Sequence, residues 1–381
     1  MTLETSKISD YVKRNAEIFI KQVLFKFSSA ENIRIRPGIK HKETFGRIAT
    51  DAVFKAASCG WNPQGVTQLD DIELGVTKFE IKDEICQQDL DDTYYNLLGK
   101  AGSLADDAEF NLEKEYVDEK IAKVAEGIER LVWRGDSALG INEPLGQFDG
   151  FVKRIMSNIP DARTGNVTAV ADVADQPYVE LTIDAAVGLE NGQSVTIAGT
   201  TDYNGTFEVH SVCVLASTTT FMIRAAFTSD QTGTWTENQD SLIAKTASVI
   251  DDFYSLIDSM DDRFMELDDK KYYLEPKDFR SLTKEIINIG GSGNFHIDLT
   301  KPVSKFMFPG EDVEVVKTAG LSGEGKRILT YKDNLWFGTD LISDYETVRF
   351  FYDEGDDVHK FMMKMKGGTQ LAHRHFVAVA Q

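Results

Sequence analysis

The stretch "RLVWRGDSALGINEPLGQFDGFVKRI", Arg130 to Ile155, holds two short phrases on which the fold reading turns: Trp133-Arg134-Gly135-Asp136 and Phe148-Asp149-Gly150-Phe151. Upstream of them the text is helical. Val117, Ile121, Val124, Ile128 and Leu131 recur at helical spacing and line one face, which predicts a helix from about Leu104 to Trp133. Glu119 with Lys123 and Glu126 with Arg130 stand four apart with the acid first, the favourable order for exposed pairs. Ser103 and Asp106 would cap its start. At 1.5 Å per residue, roughly 28 residues give a rod on the order of 40 Å long, a strut before anything else. Its end is marked by Arg130 and Arg134 at the negative pole of the helix dipole, by Trp133 anchoring the last turn, and by Gly135. Glycine is the residue type that reaches the left-handed conformation after a last turn. The Arg-Gly-Asp triplet at 134–136 is also the tripeptide of extracellular adhesive proteins, but here it reads as the way a helix ends.

The chain has 381 residues, 42% hydrophobic and 27% charged, a globular composition with room for two or three domains. Its formal net charge of -21 repels polyanions, which excludes a free-standing nucleic-acid binder and would suit the wall of a container for nucleic acid. Cys59, Cys86 and Cys213 are odd in number and widely spaced, so neither a disulfide framework nor a zinc cluster is expected and a reducing compartment is. Lys21, Gln22 and Lys26 interrupt the apolar N-terminal text and no run of about 18 apolar residues follows, so neither a leader nor a membrane span is expected.

Outward from the helix the chain divides by composition. The text to about Arg36 alternates charged and apolar residues, as an arm that lays one side on something would. Pro37 to about Gly75 mixes glycines and prolines with short apolar runs, the pattern of a long exposed hairpin or loop. "VTKFEIKDEI" opens as a strand, and "CQQDLDDTYYNLLGKAGS" reads as a short helix. From Gly165 to about Asp240 lysine disappears and Val, Thr, Gly and Ala dominate. Short alternating windows there ("VTAVADVA", "PYVELTID", "QSVTIAG", "GTFEVHSV", "TTFMIRAAF", "GTWTE"), some separated by Asn191-Gly192 and Asn204-Gly205, predict a small β-sandwich of five to seven strands in ~75 residues. Helical text that stops near Ile159 resumes at "SLIAKTASVIDDFYSLIDSMDDRF", so this domain is expected to be inserted in a host. The host is mixed: "YYLEPKDFRSLTKEII", "DNLWFGTDLI", "TVRFFYD", "KFMMKMK" and "HFVAVA" alternate helix and strand. An α+β host carrying an all-β guest is the resulting fold class.

No constellation commits the chain to an enzyme. His373 and His375 sit two apart in an expected strand and would share a face, but no third ligand is recognisable, and polar residues on a solvated strand face are the expectation. The acidic clusters lack the spacing of a calcium loop. "GGSGNF" (290–295) lacks the lysine and hydroxyl residue of a phosphate loop. Neither a metal nor a cofactor is expected.

The order of an N-terminal arm, an extended loop, a strand leading into "EICQQDLDDTYYNLLGKAGS", a long helix ending in "ERLVWRGD" and then "PLGQFDGFVKRI" resembles the major capsid proteins of tailed bacteriophages, the Hong-Kong-97-like fold. The resemblance covers the host text on both sides of the insertion. It implies an arm (1–36), an extended loop with flanking strands (37–82), a peripheral domain with a spine helix (83–135) and the first part of an apical domain (136–164). An inserted immunoglobulin-like sandwich (165–240) and the rest of the apical domain with late peripheral strands (241–381) would follow. It also implies a non-enzymatic shell protein, made in the host bacterial cytoplasm and residing in the virion, that assembles with itself into the hexamers and pentamers of an icosahedral head. That head would enclose double-stranded DNA without sequence-specific binding, carry the insertion on its outer surface and engage scaffolding, portal and head-decoration proteins, with no membrane. Subunit contacts are expected in the extended loop at Arg47, Lys55 and Trp61, with Trp133 and Gly135 marking the end of the spine helix. Members of the family can join subunits through Lys-Asn bonds; no residue here is assigned to one. The alternative is a tail or surface adhesion protein whose β-domain binds a receptor or glycan, distinguished by forming rings, fibres or trimers.

Overall fold

The computed structural model describes residues 27–50 (except 28), 67–86, 112–158, 164–237 (except 175, 186 and 188), 242–289 (except 261), 305–340 (except 309) and 349–381 (except 354 and 357). The chain divides into two compact units. One comprises 1–43, 74–153 and 336–370, and the other 44–73, 154–335 and 371–381.

The first unit is built on a five-stranded sheet. β1 (Arg34–Pro37), β17 (Leu335–Thr339), β19 (Val358–Leu371) and β18 (Arg349–Asp353) follow in that order, and β4 (Thr77–Cys86) also pairs with β19. β1 and β17 run parallel, with Arg34 opposite Trp336, whereas β19 meets β4 antiparallel over ten positions from Val358↔Cys86 to Gly367↔Thr77. The unit also holds α1 (Leu112–Arg134), whose 23 residues make a rod of about 34 Å. The expected start near Leu104, with Ser103 and Asp106, lies outside the described residues, as does the expected helix at 86–103. Ile121, Val124, Ile128 and Leu131 are buried together as the helical period requires.

The second unit contains the inserted domain. β5 (Thr164–Asp172), β6 (Val179–Ile183), β7 (Ser194–Ala198), β8 (Gly205–Glu208), β9 (His210–Val214), β10 (Thr219–Ile223) and β11 (Gly233–Glu237) form one sheet ordered β8-β7-β11-β5-β6-β10-β9. The two edge strands, β8 and β9, are separated in sequence only by Val209, so the sheet must curl until its edges meet. The window "GTFEVHSV" is thus two strands, with a sharp bend that puts Ser211 at φ 50°. An immunoglobulin domain has two separate sheets; here all seven strands join in one antiparallel wrap around Val179, Leu181, Ile183, Phe221, Ile223 and Trp235. Alternation explains which side faces in, since β6 and β10 bury every second residue. Thr164 and Thr236, near the two ends of the domain, are opposite one another in the β5–β11 ladder, the geometry an insertion needs.

The host part of this unit is a six-stranded sheet in the order β12-β20-β16-β13-β15-β14. These strands are β12 (Leu242–Ile243), β13 (Lys270–Leu274), β14 (Lys305–Met307), β15 (Glu314–Lys317), β16 (Arg327–Tyr331) and β20 (Val377–Ala380). Its helices are α3 (Val249–Ser259), α4 (Asp262–Met265) and α5 (Pro276–Ile289), while α2 (Phe151–Asn158) begins in the first unit. Phe253, Leu256, Leu282, Phe308 and Leu329 are at the centre of the core between sheet and helices, with the Phe253 and Phe308 rings stacked 3.7 Å apart. The text "SLIAKT", expected as helix, instead supplies β12, because Leu242 and Ile243 find open partners in Val379 and Ala380. Beneath it lies a buried ionic network: Arg327 pairs with Asp252 and with Asp278 at 3.0 Å, and Lys245 pairs with Asp278 at 2.7 Å. Asp252 also accepts from the Thr246 N–H at 3.0 Å, which satisfies its remaining lone pairs.

The same unit includes a two-stranded ribbon of β2 (Lys42–Thr50) and β3 (Thr67–Gly75), where a long exposed hairpin or loop is expected. Residues 51–66 between its strands lie outside the described residues.

Candidate functional site

The end of α1 is a clasp made by two glycines. Trp133 is fully buried, its ring meets Phe151 edge-on at 5.3 Å, and its Nε1 donates to Ser29 Oγ at 2.8 Å. Ser29 in turn donates from its N (3.0 Å) and Oγ (2.6 Å) to the buried Glu129 carboxylate. Gly135 N donates to Leu131 O at 2.9 Å, Gly150 N donates to Gly135 O at 2.7 Å, and Asp136 N donates to Leu145 O at 2.8 Å. A Cβ on Gly135 would stand 2.3 Å from Phe148 O, and one on Gly150 would stand 2.7 Å from Trp133 O. Gly135 is not among the positive-φ residues, so its expected left-handed conformation is corrected. Glycine is required there because two backbones approach too closely for any side chain. The two phrases of the sequence motif are the two halves of this contact.

The Asp136 carboxylate is engaged within the chain. It accepts from Ala138 N at 2.8 Å and pairs with Lys153, contacts that hold it below the usual carboxylate range. Lys153 also reaches Asp149 at 2.7 Å. Burial would raise the Asp149 pKa, but Lys153 and the Ser137 hydroxyl and N–H bring it to about 2. Both carboxylates are therefore anions held by one lysine, which is pushed up in turn.

A second polar cluster lies in the other unit. Arg47, on β2, pairs with Asp70 of β3 and with Glu190 at 3.3 Å, and donates to Ala372 O at 3.0 Å. Its Nη1 is also 3.2 Å from His373 Nδ1. Glu190 accepts from Arg374 N at 2.9 Å, and its Oε2 is 2.8 Å from His375 Nδ1. Glu190, His373 and His375 each present one ligand-type atom within 4.8 Å of the others. The expectation of a solvated strand face is overturned for these histidines: they lie in the turn between β19 and β20, and His375 is only 6% exposed. Burial would raise the Glu190 pKa, but the hydrogen bond and charge of His375, with the charge of Arg47, hold it at about 2. Burial and then the charges of His375 and Arg47 lower His373 to about 4, so its ring is neutral at pH 7. Glu190 escaped the sequence reading because its partners are 143 and 185 residues away. Glu129 had a local signal, a charge four residues after the buried Ala125 on the apolar face of a helix.

Of the residues expected to touch neighbouring subunits, Arg47 spends its guanidinium inside its own chain, and burial is outweighed by Glu190 and Asp70 so that its pKa is raised. Lys55 and Trp61 lie outside the described residues. Beside Arg47, Ile48 is 68% exposed, and Leu69 on the other strand is 74% exposed. No described helix is long and apolar enough to cross a membrane.

No family model matches the chain, and no curated protein sequence does. Solved structures do. A chain of the satellite phage P4 procapsid, described as including the size determination (Sid) protein, aligns with a TM-score of 0.51 at 10% identity, covering 96% of this chain and 89% of that one. The capsid of a native GTA particle aligns at TM-score 0.45 and 10% identity over 93% of this chain and 89% of that one. A virus-like particle from Pyrococcus furiosus aligns at 0.42 and 9% identity over 95% and 96%. The first of these likenesses shows the fold, a mixed α+β architecture of the Hong-Kong-97-like kind that the sequence resembles.

Proposed function

We propose that the chain is a structural shell protein of a phage head, which assembles with copies of itself and performs no catalysis. The observation that carries this reading is the ribbon: two paired strands hold Ile48 and Leu69 well into solvent, and apolar side chains so placed are buried when a neighbouring copy covers them. Shared fold with a procapsid chain supports it. In a closed shell each weak contact is repeated over many copies, so reversible interfaces add up to a stable assembly.

Under this reading the ribbon is the extended loop, α1 the spine of the peripheral domain, residues 1–36 the arm, and 136–164 with 241–381 the apical domain and late peripheral strands. Copies group as hexamers and pentamers of an icosahedral head. The guest domain faces outward, and the net charge of -21 lets enclosed double-stranded DNA slide without adhering. Scaffolding, portal and decoration proteins are the expected partners, and the virion is its place after synthesis in the host cytoplasm.

The test is to replace both ribbon residues, Ile48→Asp with Leu69→Asp, and compare sedimentation and thermal unfolding with the parent. Loss of large assemblies at an unchanged unfolding temperature supports the reading; the same assemblies with both charges in place would remove the ribbon from the interface. A peptide tag in the turn closed by Leu215 N and Thr218 O, 2.8 Å apart, should be accessible to antibody on intact particles.

A further inference from the structure

The cluster around Glu190 has the residues of a metal site and already contains a cation. Two imidazoles and a carboxylate converge from two turns, one before β7 and one between β19 and β20. Both turns are fixed independently of the cluster. His373 N donates to Asn334 Oδ1 at 2.6 Å, Asn334 Nδ2 donates to His373 O at 2.9 Å, and Glu190 N donates to Gln193 Oε1 at 3.1 Å. His375 Nδ1 already faces Glu190 Oε2 at 2.8 Å, so the ring and the carboxylate are turned toward one another. Two histidines and a glutamate are a set that Zn²⁺ accepts, with a water completing the tetrahedron. Ligand atoms of such a tetrahedron are about 3.3 Å apart, so the 4.8 Å spread closes with side-chain rotations on the order of 1 Å.

The Arg47 guanidinium stands against two of the three ligand groups, with Nη1 at 3.2 Å from His373 Nδ1 and 3.3 Å from Glu190 Oε1, and also donates to Ala372 O at 3.0 Å. We propose that Glu190, His373 and His375 form a site for a divalent transition-metal ion of the zinc type, and that Arg47 of the ribbon is the competing cation that fills it. Metal binding and docking of the ribbon by Arg47 are then mutually exclusive. Asp70 is the counter-ion that leaves with Arg47, since both belong to the ribbon.

The experiment titrates the full chain with Zn²⁺ by calorimetry and with Co²⁺ by visible absorption, after circular dichroism has verified folding. Wild type binds weakly. Arg47→Met binds one equivalent at least ten-fold more tightly (about 1.4 kcal/mol), and adding His373→Ala with His375→Ala returns it to the wild-type level or below. Asp70→Asn, which loosens Arg47 without removing it, is intermediate and serves as the deciding variant if Arg47→Met does not fold. A folded Arg47→Met, or in its absence Asp70→Asn, that binds no more tightly than wild type overturns the proposal. So does tight binding that survives loss of both histidines.

Discussion

At the scale of single residues, a few contacts do most to define the chain's local geometry. Gly135 and Gly150 allow the backbone after α1 to lie against the backbone before α2, and nothing larger fits. Gly135→Val should lower stability by about 3 kcal/mol or prevent folding. Asp136→Glu, which keeps the charge that meets Lys153, should stay within about 0.5 kcal/mol; chemical denaturation of both variants checks the contrast. An adhesive tripeptide would show the reverse sensitivity, in binding rather than in stability. Asp149 gives a pH signature. Its folded pKa, about 2, is below the unfolded value, so the stability it contributes is present above about pH 4 and is lost as pH falls toward 2. Between those limits wild type should lose about 1 kcal/mol more than Asp149→Asn, because solvent screens the partly exposed Lys153 pair, measured as denaturant midpoints at each pH. Arg327 anchors the buried ionic network through Asp252. Asp252→Asn leaves the buried guanidinium short of a counter-ion and should cost about 3–5 kcal/mol.

Elements show which parts of the architecture a sequence can disclose. The composition change at Gly165 and the alternating windows after it mark strands because each buries its inward side within its own domain, a local property. The closing of the sheet was not legible: β8 and β9 look like one strand until the bend at Val209 is seen, and no local pattern announces which edges meet. The long helix was legible from its period, and its end from the Trp-Arg-Gly-Asp phrase, but the reason for Gly135 lies in a partner segment beginning at Phe148. The same limit hid the Glu190 cluster, where every member is ordinary alone. Because Thr164 and Thr236 are opposite one another, joining residue 163 to residue 242 through a short Gly-Ser linker should leave the host folded. Its circular dichroism and a single cooperative unfolding step should persist, at a lower midpoint, since Arg47, Arg374 and His375 lose the Glu190 carboxylate and Arg263 loses Glu208. A remainder with no cooperative transition would show that guest and host are one folding unit.

At the scale of the whole molecule, the proposed function makes the chain a part rather than a machine. The polar networks around Arg327 and Glu129 are buried, and the one around Lys153 ties together the segments that follow α1, so each holds geometry. Its outward apolar residues on the ribbon are unused by the described part of the chain, and its acidic balance resists adhesion to polyanions. Under the proposed function these features let a subunit meet copies of itself around an anionic content. Electron microscopy of the overexpressed protein by negative stain tests this most directly. The account predicts closed shells together with hexamers and pentamers; uniform monomers under every salt and crowding condition would contradict it.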